Sequence, residues 1–181
     1  GVTGRIKLGT VGVSSPNTEL TISPDCEILL KGPNVFMGYL NQPEATAEAL
    51  RGGWLHTGDV AVRDSDGFLR LVDRAKDMVI TGGFNVYPRA VESVLEAHPA
   101  IAAASVFGVA DDRWGEIVVA AVVLRDSATR IDDLMTYVRE RKGPVQTPKR
   151  IEIVERIPQT AVGKPDKKAL RKMTMAKIEQ E

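Results

Sequence analysis

The sequence predicts an α+β protein in two parts: a β-rich segment over residues 1–75, then a segment over 76–181 in which helices pack on a small sheet. Before residue 75, short apolar runs of strand length are separated by Pro, Gly, Asp and Ser turns. Beyond it, some stretches repeat their apolar residues at helical spacing and others are continuously apolar. Apolar residues make up 43% of the 181 and aromatic ones only 5%, so the core is expected to rest on Val, Leu, Ile and Ala.

In the first segment, Glu19–Ile22 is bounded by Ser23-Pro24-Asp25, and 27–30 ends at Lys31-Gly32-Pro33-Asn34, which predicts a hairpin. Residues 44–50 read as a short Ala-rich helix. A second strand–turn–strand unit follows over 60–62, Asp64-Ser65-Asp66-Gly67 and 68–72, so a small sheet or barrel is expected. Residues 78–81 open the second segment as a strand. Pro88 suits the first turn of a helix, where its missing N–H costs nothing. Val91, Val94 and Leu95 continue that helix, and His98-Pro99 ends it. Residues 101–109 and 116–124 read as buried strands around Asp111-Asp112-Arg113-Trp114-Gly115. A helix over 131–141 has Leu134 and Val138 four apart and Tyr137 three after Leu134. A strand over 151–154 and a charged helix over 167–178 complete the order β-α-β-β-α-β-α. No repeat or low-complexity tract is visible.

Lys plus Arg equals Asp plus Glu at 24 each, which argues against a generally basic nucleic-acid binder. The single Cys26 excludes an internal disulfide and metal sites built on several cysteines. His56 and His98 are too isolated to suggest a metal site. No apolar run of about 18 residues is present, so no membrane span is expected. The N-terminal Gly1-Val-Thr-Gly-Arg-Ile-Lys7 lacks the apolar core of a signal peptide. These features fit a cytoplasmic protein.

Three runs carry candidate chemistry: Trp54-Leu55-His56-Thr57-Gly58-Asp59; a stretch from Val72 to Pro88 containing Arg74, Lys76, Gly82 and Gly83; and Pro158-Gln159-Thr160-Ala161-Val162-Gly163-Lys164. Asp59 follows a Gly in a strand-initiating turn, where its carboxylate can accept two hydrogen bonds from a diol or bond its own backbone. The guanidinium fork of Arg74 suits phosphate or ribose oxygens, with a salt bridge to Asp73 or Asp77 as the alternative. Lys76 stands where the texture changes. Gly82-Gly83 permits close approach by another chain or a ligand, or serves a tight turn. Lys164 sits beside Gly163 in a loop before the last helix, a position read as exposed and mobile. The alternative for it is a solvated basic helix, given Lys167, Lys168, Arg171, Lys172 and Lys177. Trp114 reads as a core or domain-interface residue.

In this order and at these separations, the three runs resemble the C-terminal part of the adenylate-forming enzymes, in the acyl-CoA synthetase branch. The stretch from Glu27 to Leu40 resembles the family too, with Cys26 where a turn glycine is usual. The resemblance implies that 1–75 is the β-rich end subdomain of a large N-terminal domain and 76–181 the small C-terminal domain. It implies that Asp59 binds the ribose hydroxyls of ATP and of the acyl-adenylate, and that Arg74 contacts the same nucleotide. Lys76 becomes the hinge, and Gly82, Gly83 and Phe84 line the pantetheine tunnel. Lys164 becomes the catalytic cation for carboxylate attack on the α-phosphate. Pro148-Lys149-Arg150 either meets the CoA phosphates or is a solvated loop, and Thr147 stands where some relatives carry a basic residue.

The implied reaction converts a small-molecule carboxylic acid and ATP to acyl-adenylate, then transfers the acyl group to CoA. Mg²⁺ is expected with ATP, its ligands outside this chain. The family's phosphate loop and acid pocket are absent from this sequence. The expected partner is therefore the missing N-terminal region of the same parent, and the chain alone is expected to be inactive. Other readings are an adenylation domain acting on a carrier-protein thiol, a luciferase-like enzyme, and a non-catalytic interaction module. The runs over 73–77 and 82–88 favour the CoA-using branch, and a Thr/Ser/Gly-rich loop upstream would discriminate.

Overall fold

Two turns fold the beginning of the chain into hairpins. At the first, the Cys26 N–H donates to the Ser23 carbonyl and the Ser23 N–H to the Glu27 carbonyl, both at 2.9 Å. This joins β1 (Glu19–Ile22) to β2 (Glu27–Lys31) in antiparallel register. At the second, the Asp64 carboxylate accepts the N–H groups of Asp66 and Phe68 at 3.0 and 2.9 Å. Gly67 takes a φ of 85° there, joining β3 (Leu55–Arg63) to β4 (Leu69–Arg74). The computed structural model describes residues 7–126 and 128–180. Residues 1–6, most of the stretch without a signal-peptide core, lie outside the described residues.

The chain divides into two units, Gly1–Lys76 and Asp77–Glu181. The first holds a four-stranded antiparallel sheet in the order β1-β2-β3-β4. Among the described residues β1 and β4 are its outer strands, with an isolated Gly12–Leu69 bridge on β4, and the sheet is open. Ile28, Val60, Ala61, Phe68 and Leu69 are buried on it. Helix α1 (Pro43–Ala49) starts on Pro43 and buries no residue. β3 starts earlier than the apolar pattern over 60–62 suggested. Its first half is polar, and the β2–β3 register shifts between Glu27 and Leu29. Asp59 accordingly lies inside a strand beside a bulge, not in a strand-initiating turn.

The second unit opens with a hairpin of β5 (Val79–Thr81) and β6 (Phe84–Val86). Gly82 and Gly83, with φ of 56° and 82°, supply the left-handed pair that a tight two-residue turn requires. β6 was not expected from the sequence, so the order becomes β-β-α-β-β-α-β-α. After α2 (Pro88–Glu96), with Pro88 in its first turn, come the long strands β7 (Ile101–Asp111) and β8 (Gly115–Leu124). They pair from Ile101↔Leu124 to Asp111↔Gly115, and the Asp111 carboxylate accepts the N–H groups of Arg113 and Trp114 in the turn. α3 (Ile131–Lys142) leads to β9 (Arg150–Ile153), parallel to β8. In α4 (Lys167–Ile178) the Asp166 carboxylate caps the helix by accepting the Ala169 N–H at 2.9 Å. The five strands run β6-β5-β8-β7, with β9 on β8.

Side chains alternate across a strand, and here both faces of β7 and β8 are apolar. Ala104, Val106, Val118, Ala120 and Val122 pack with Val91 and Leu95 of α2 and Leu134 and Val138 of α3. Phe107, Val109, Val119 and Ala121 meet Leu170 of α4 on the opposite face. β7 is an edge strand. Its outward Val106 N–H donates to Glu92 Oε1 at 2.9 Å, and its Gly108 carbonyl accepts from Arg171 Nε at 3.0 Å. The apolar pattern of α2 missed one buried residue, Glu92, while Val94 is only partly buried.

Two stability predictions arise. Cys26 holds a φ of 67° in the turn between β1 and β2, a left-handed conformation that favours glycine. A side chain there costs about 1–2 kcal/mol, less the roughly 0.5–1 kcal/mol of extra unfolded-chain entropy that glycine brings. Cys26→Gly is therefore expected to raise the urea midpoint by an amount equivalent to about 0.5–1 kcal/mol. On β9, burial opposes the charge of Glu152, but hydrogen bonds from Lys177 and Arg150 outweigh it and hold the carboxyl below its ordinary 4.5. A carboxyl lowered by folding contributes its stability above the unfolded value and loses it as pH falls through the folded one. Glu152→Gln is expected to destabilise the protein by about 2 kcal/mol at neutral pH. The gap from wild type should narrow progressively below about pH 5, and urea titrations across that range measure it.

Candidate functional site

In the first unit the β3–β4 register sets Asp59 opposite Arg74, and Arg74 Nε lies 3.0 Å from Asp59 Oδ1. The two candidate nucleotide ligands are thus a cross-strand ion pair, partly open to solvent. The Arg74 N–H also donates to the Asp73 carboxylate at 2.7 Å. Side chains shape the bulge just before Asp59. The Asp59 N–H donates to Thr57 Oγ1 at 3.1 Å, and that hydroxyl donates to the Ile28 carbonyl at 2.8 Å. Gly58, at a φ of 71°, gives its N–H to Glu27 Oε1 at 2.8 Å. The other oxygen of the buried Glu27 meets His56 Nδ1 at 2.8 Å, with Arg51 Nη2 at 3.7 Å. Glu27 and Thr57 shape this candidate site and were not singled out by sequence reasoning. Nothing in the pattern marks a glutamate after a turn as a strand-splicing acceptor.

A cavity of about 400 Å³ opens beside this pair, lined among others by Glu27, Tyr39, His56, Thr57, Arg74 and Lys76. Lys76 is exposed in a single 3-10 turn, Ala75–Asp77. A carboxylate that only accepts, beside a guanidinium that only donates, complements hydroxyl pairs and phosphate or ribose oxygens.

In the second unit, Gly82 closes on Trp114. The Gly82 N–H donates to the Trp114 carbonyl at 2.9 Å, and a Cβ on Gly82 would lie 2.9 Å from Trp114 Cε3. Trp114 is 39% exposed, so it is a surface residue and not part of the core. Arg113 lies 5.0 Å from its ring centroid and Lys149 Nζ 5.5 Å. Gly83 faces open space, and Phe84 is 60% exposed.

Lys164 projects from a closed hairpin, not an open strap. Gln159 bridges Pro165. The Thr160 N–H donates to the Lys164 carbonyl at 2.8 Å, and the Gly163 N–H to the Thr160 carbonyl at 2.9 Å. Gly163 has the φ of 76° that this turn needs. The Asp166 N–H then donates to the Pro158 carbonyl at 2.8 Å, so the residue that closes the hairpin also caps α4. Lys164 itself is exposed. Among the described residues no group of three His, Cys, Asp or Glu side chains is placed to hold a metal, and no helix is long and apolar enough to cross a membrane.

Residues 90–164 match the AMP-binding enzyme C-terminal domain. Over 153 residues the chain is 50% identical to the medium/long-chain-fatty-acid–CoA ligase FadD8 of Mycobacterium tuberculosis, a match covering 80% of this chain and 27% of the relative. The chain matches the C-terminal part of adenylate-forming enzymes. A feruloyl-CoA synthase from an Amycolatopsis species is 44% identical over 170 residues, covering 87% of this chain and 34% of its own. Among solved adenylate-forming enzymes, o-succinylbenzoate CoA synthetase (MenE) from Bacillus subtilis, in complex with the acyl-adenylate OSB-AMP, superposes with a TM-score of 0.82 at 37% identity. That match covers 91% of this chain and 36% of MenE. The amide bond synthetase McbA from Marinactinospora thermotolerans superposes at 0.80 with 42% identity, covering 91% and 36%. The chain thus spans about a third of the length of these adenylate-forming relatives.

The contact between Gly82 and Trp114 makes a checkable distinction between the paired glycines of the β5–β6 turn. Gly82→Ala meets both a left-handed φ and the indole, for an expected loss of about 2–3 kcal/mol with a shift in tryptophan emission. Gly83→Ala meets only the backbone cost, about 1 kcal/mol. Denaturation followed by fluorescence measures both.

Proposed function

We propose that this chain is the C-terminal portion of an acyl-CoA synthetase, an ATP-dependent, AMP-forming acid–thiol ligase of fatty-acid or related carboxylic-acid metabolism acting in the cytoplasm. The observation that carries the reading is the 50% identity to a fatty-acid–CoA ligase. Residues 1–75 supply the end subdomain of the large domain, and residues 76–181 the small domain, with Lys76 as the hinge between them. Asp59 accepts hydrogen bonds from the two ribose hydroxyls of ATP while Arg74, held to it at 3.0 Å, orients the carboxylate. Lys164 offers a point cation from the tip of its hairpin, and charge building on the α-phosphate and the attacking carboxylate is stabilised by it. Gly82, Gly83 and Phe84 border the path of the CoA thiol, and the exposed, open-faced Gly83 suits that role. In this reading Mg²⁺ accompanies ATP, with its ligands outside this chain. The likeness to an amide bond synthetase favours a second reading, in which an amine replaces CoA as acceptor.

The test is ATP–pyrophosphate exchange by the full-length protein with a panel of carboxylic acids, and separately acyl transfer from preformed acyl-adenylate to CoA or to an amine. Lys164→Ala is expected to slow exchange a hundredfold or more, about 3–4 kcal/mol, and to spare transfer to CoA. A side chain at Gly83 should do the reverse. Gly83→Asn is a better probe than Gly83→Leu, because asparagine tolerates the 82° φ. Equal losses in both half-reactions for Lys164→Ala would remove this lysine from adenylation, and transfer to the amine alone would select the second reading.

A further inference from the structure

The helix that follows Lys164 begins on a buried ion pair that the proposed reaction does not use. Glu92 of α2 is 6% exposed, on a helix face otherwise given to Val91 and Leu95. Its Oε1 accepts the Val106 N–H at 2.9 Å and lies 3.2 Å from Lys167 Nζ, while Oε2 lies 3.6 Å from Arg89 Nη1. Lys167 is the first residue of α4, and its side chain is only 17% exposed. Taking a carboxylate and an ammonium out of water is costly, and replacing such a pair by apolar side chains of similar volume is often neutral or stabilising. A buried charge pair at such a point is therefore more readily explained by the geometry it enforces than by stability.

We propose that Glu92 is a positioning residue for Lys164, acting through Lys167. This rests on the adenylation role proposed for Lys164. The argument is mechanical. Asp166 both closes the hairpin on Pro158 and caps α4 through Ala169, so hairpin and first helical turn form one piece. Lys167 is the next residue, and Glu92 fixes it against α2 and the edge of β7. Further along, α4 is held independently by buried Leu170 and Thr174, by Arg171 on the Gly108 carbonyl and by Lys177 on Glu152. Loss of the Glu92–Lys167 pair thus leaves the helix docked and frees its N-terminal end, which carries Lys164. An ammonium on a flexible stem stabilises developing charge only if its base is held in place.

The full-length protein is assayed for both half-reactions with Glu92→Gln, Lys167→Met and Lys167→Arg, each also in a Lys164→Ala background. Glu92→Gln keeps an acceptor for the Val106 N–H. Lys167→Met removes only the surface-side partner, so it serves even if the Glu92 variant folds poorly. Glu92→Gln and Lys167→Met should each slow adenylation about tenfold in kcat with the KM for ATP little changed, and leave transfer from preformed acyl-adenylate to CoA at the wild-type rate. Lys167→Arg should recover most of the loss. With Lys164 already replaced by Ala, neither variant should slow adenylation further. Wild-type adenylation, equal slowing of both half-reactions, or full additivity with Lys164→Ala overturns the positioning role while the Lys164 assignment stands. If Lys164→Ala itself adenylates normally, both fall.

Discussion

Both faces of the β7–β8 pair are apolar, and this constraint decides where everything else in the second unit goes. A strand pair with one wet face needs a cover on one side only. Here Val106 and Val118 point one way and Phe107 and Val119 the other, so each face must be covered. α2 and α3 close the first and α4 the second. The position of α4 then settles that of the hairpin before it, because Asp166 belongs to both. The catalytic candidate Lys164 is thereby located by packing some distance away, at Leu170, more than by anything in its own loop.

Much of this was legible in the sequence where a single physical cause dominates. The continuous apolar runs at 101–109 and 116–124 read correctly as buried strands, and Pro88 marked the start of α2. What escaped were elements whose cause lies elsewhere in the chain. β6 has three residues, of which only Val86 is buried, so it carries no period of its own. The first half of β3 is polar because Glu27 and Thr57 satisfy backbone groups that an apolar ladder would pair. Glu92 looks like a solvated helix residue until β7 and α4 are placed around it. The candidate site followed the same rule. The resemblance named Asp59 and Arg74, while their pairing depends on the β3–β4 register across an intervening turn. Trp114 was expected in the core or at a domain interface; it lies outside the core, on the surface against Gly82.

Side chains repeatedly take over where the backbone ladder is interrupted, as the near-complete pairing of buried backbone groups requires. Glu27 receives the Gly58 N–H at the bulge, and Glu116 receives the Ile80 N–H at 2.9 Å where β5 meets β8. All but one of the buried side-chain polar atoms in the described residues find a partner. The exception is the Ser105 hydroxyl, in the middle of β7.

The outer edge of β7 carries a further consequence. Eleven residues long and almost wholly apolar, it has the length and composition of a template on which a foreign strand could grow. Natural sheets blunt such edges with charge or cover, and here the means are chemical occupation at the strand's centre. The Glu92 carboxylate sits on the Val106 donor and the Arg171 guanidinium on the Gly108 acceptor, two residues apart on the same rim. An incoming chain would have to displace two charge-assisted hydrogen bonds before making its own first one. The same two side chains that tie α2 and α4 to β7 thus also occupy its open edge.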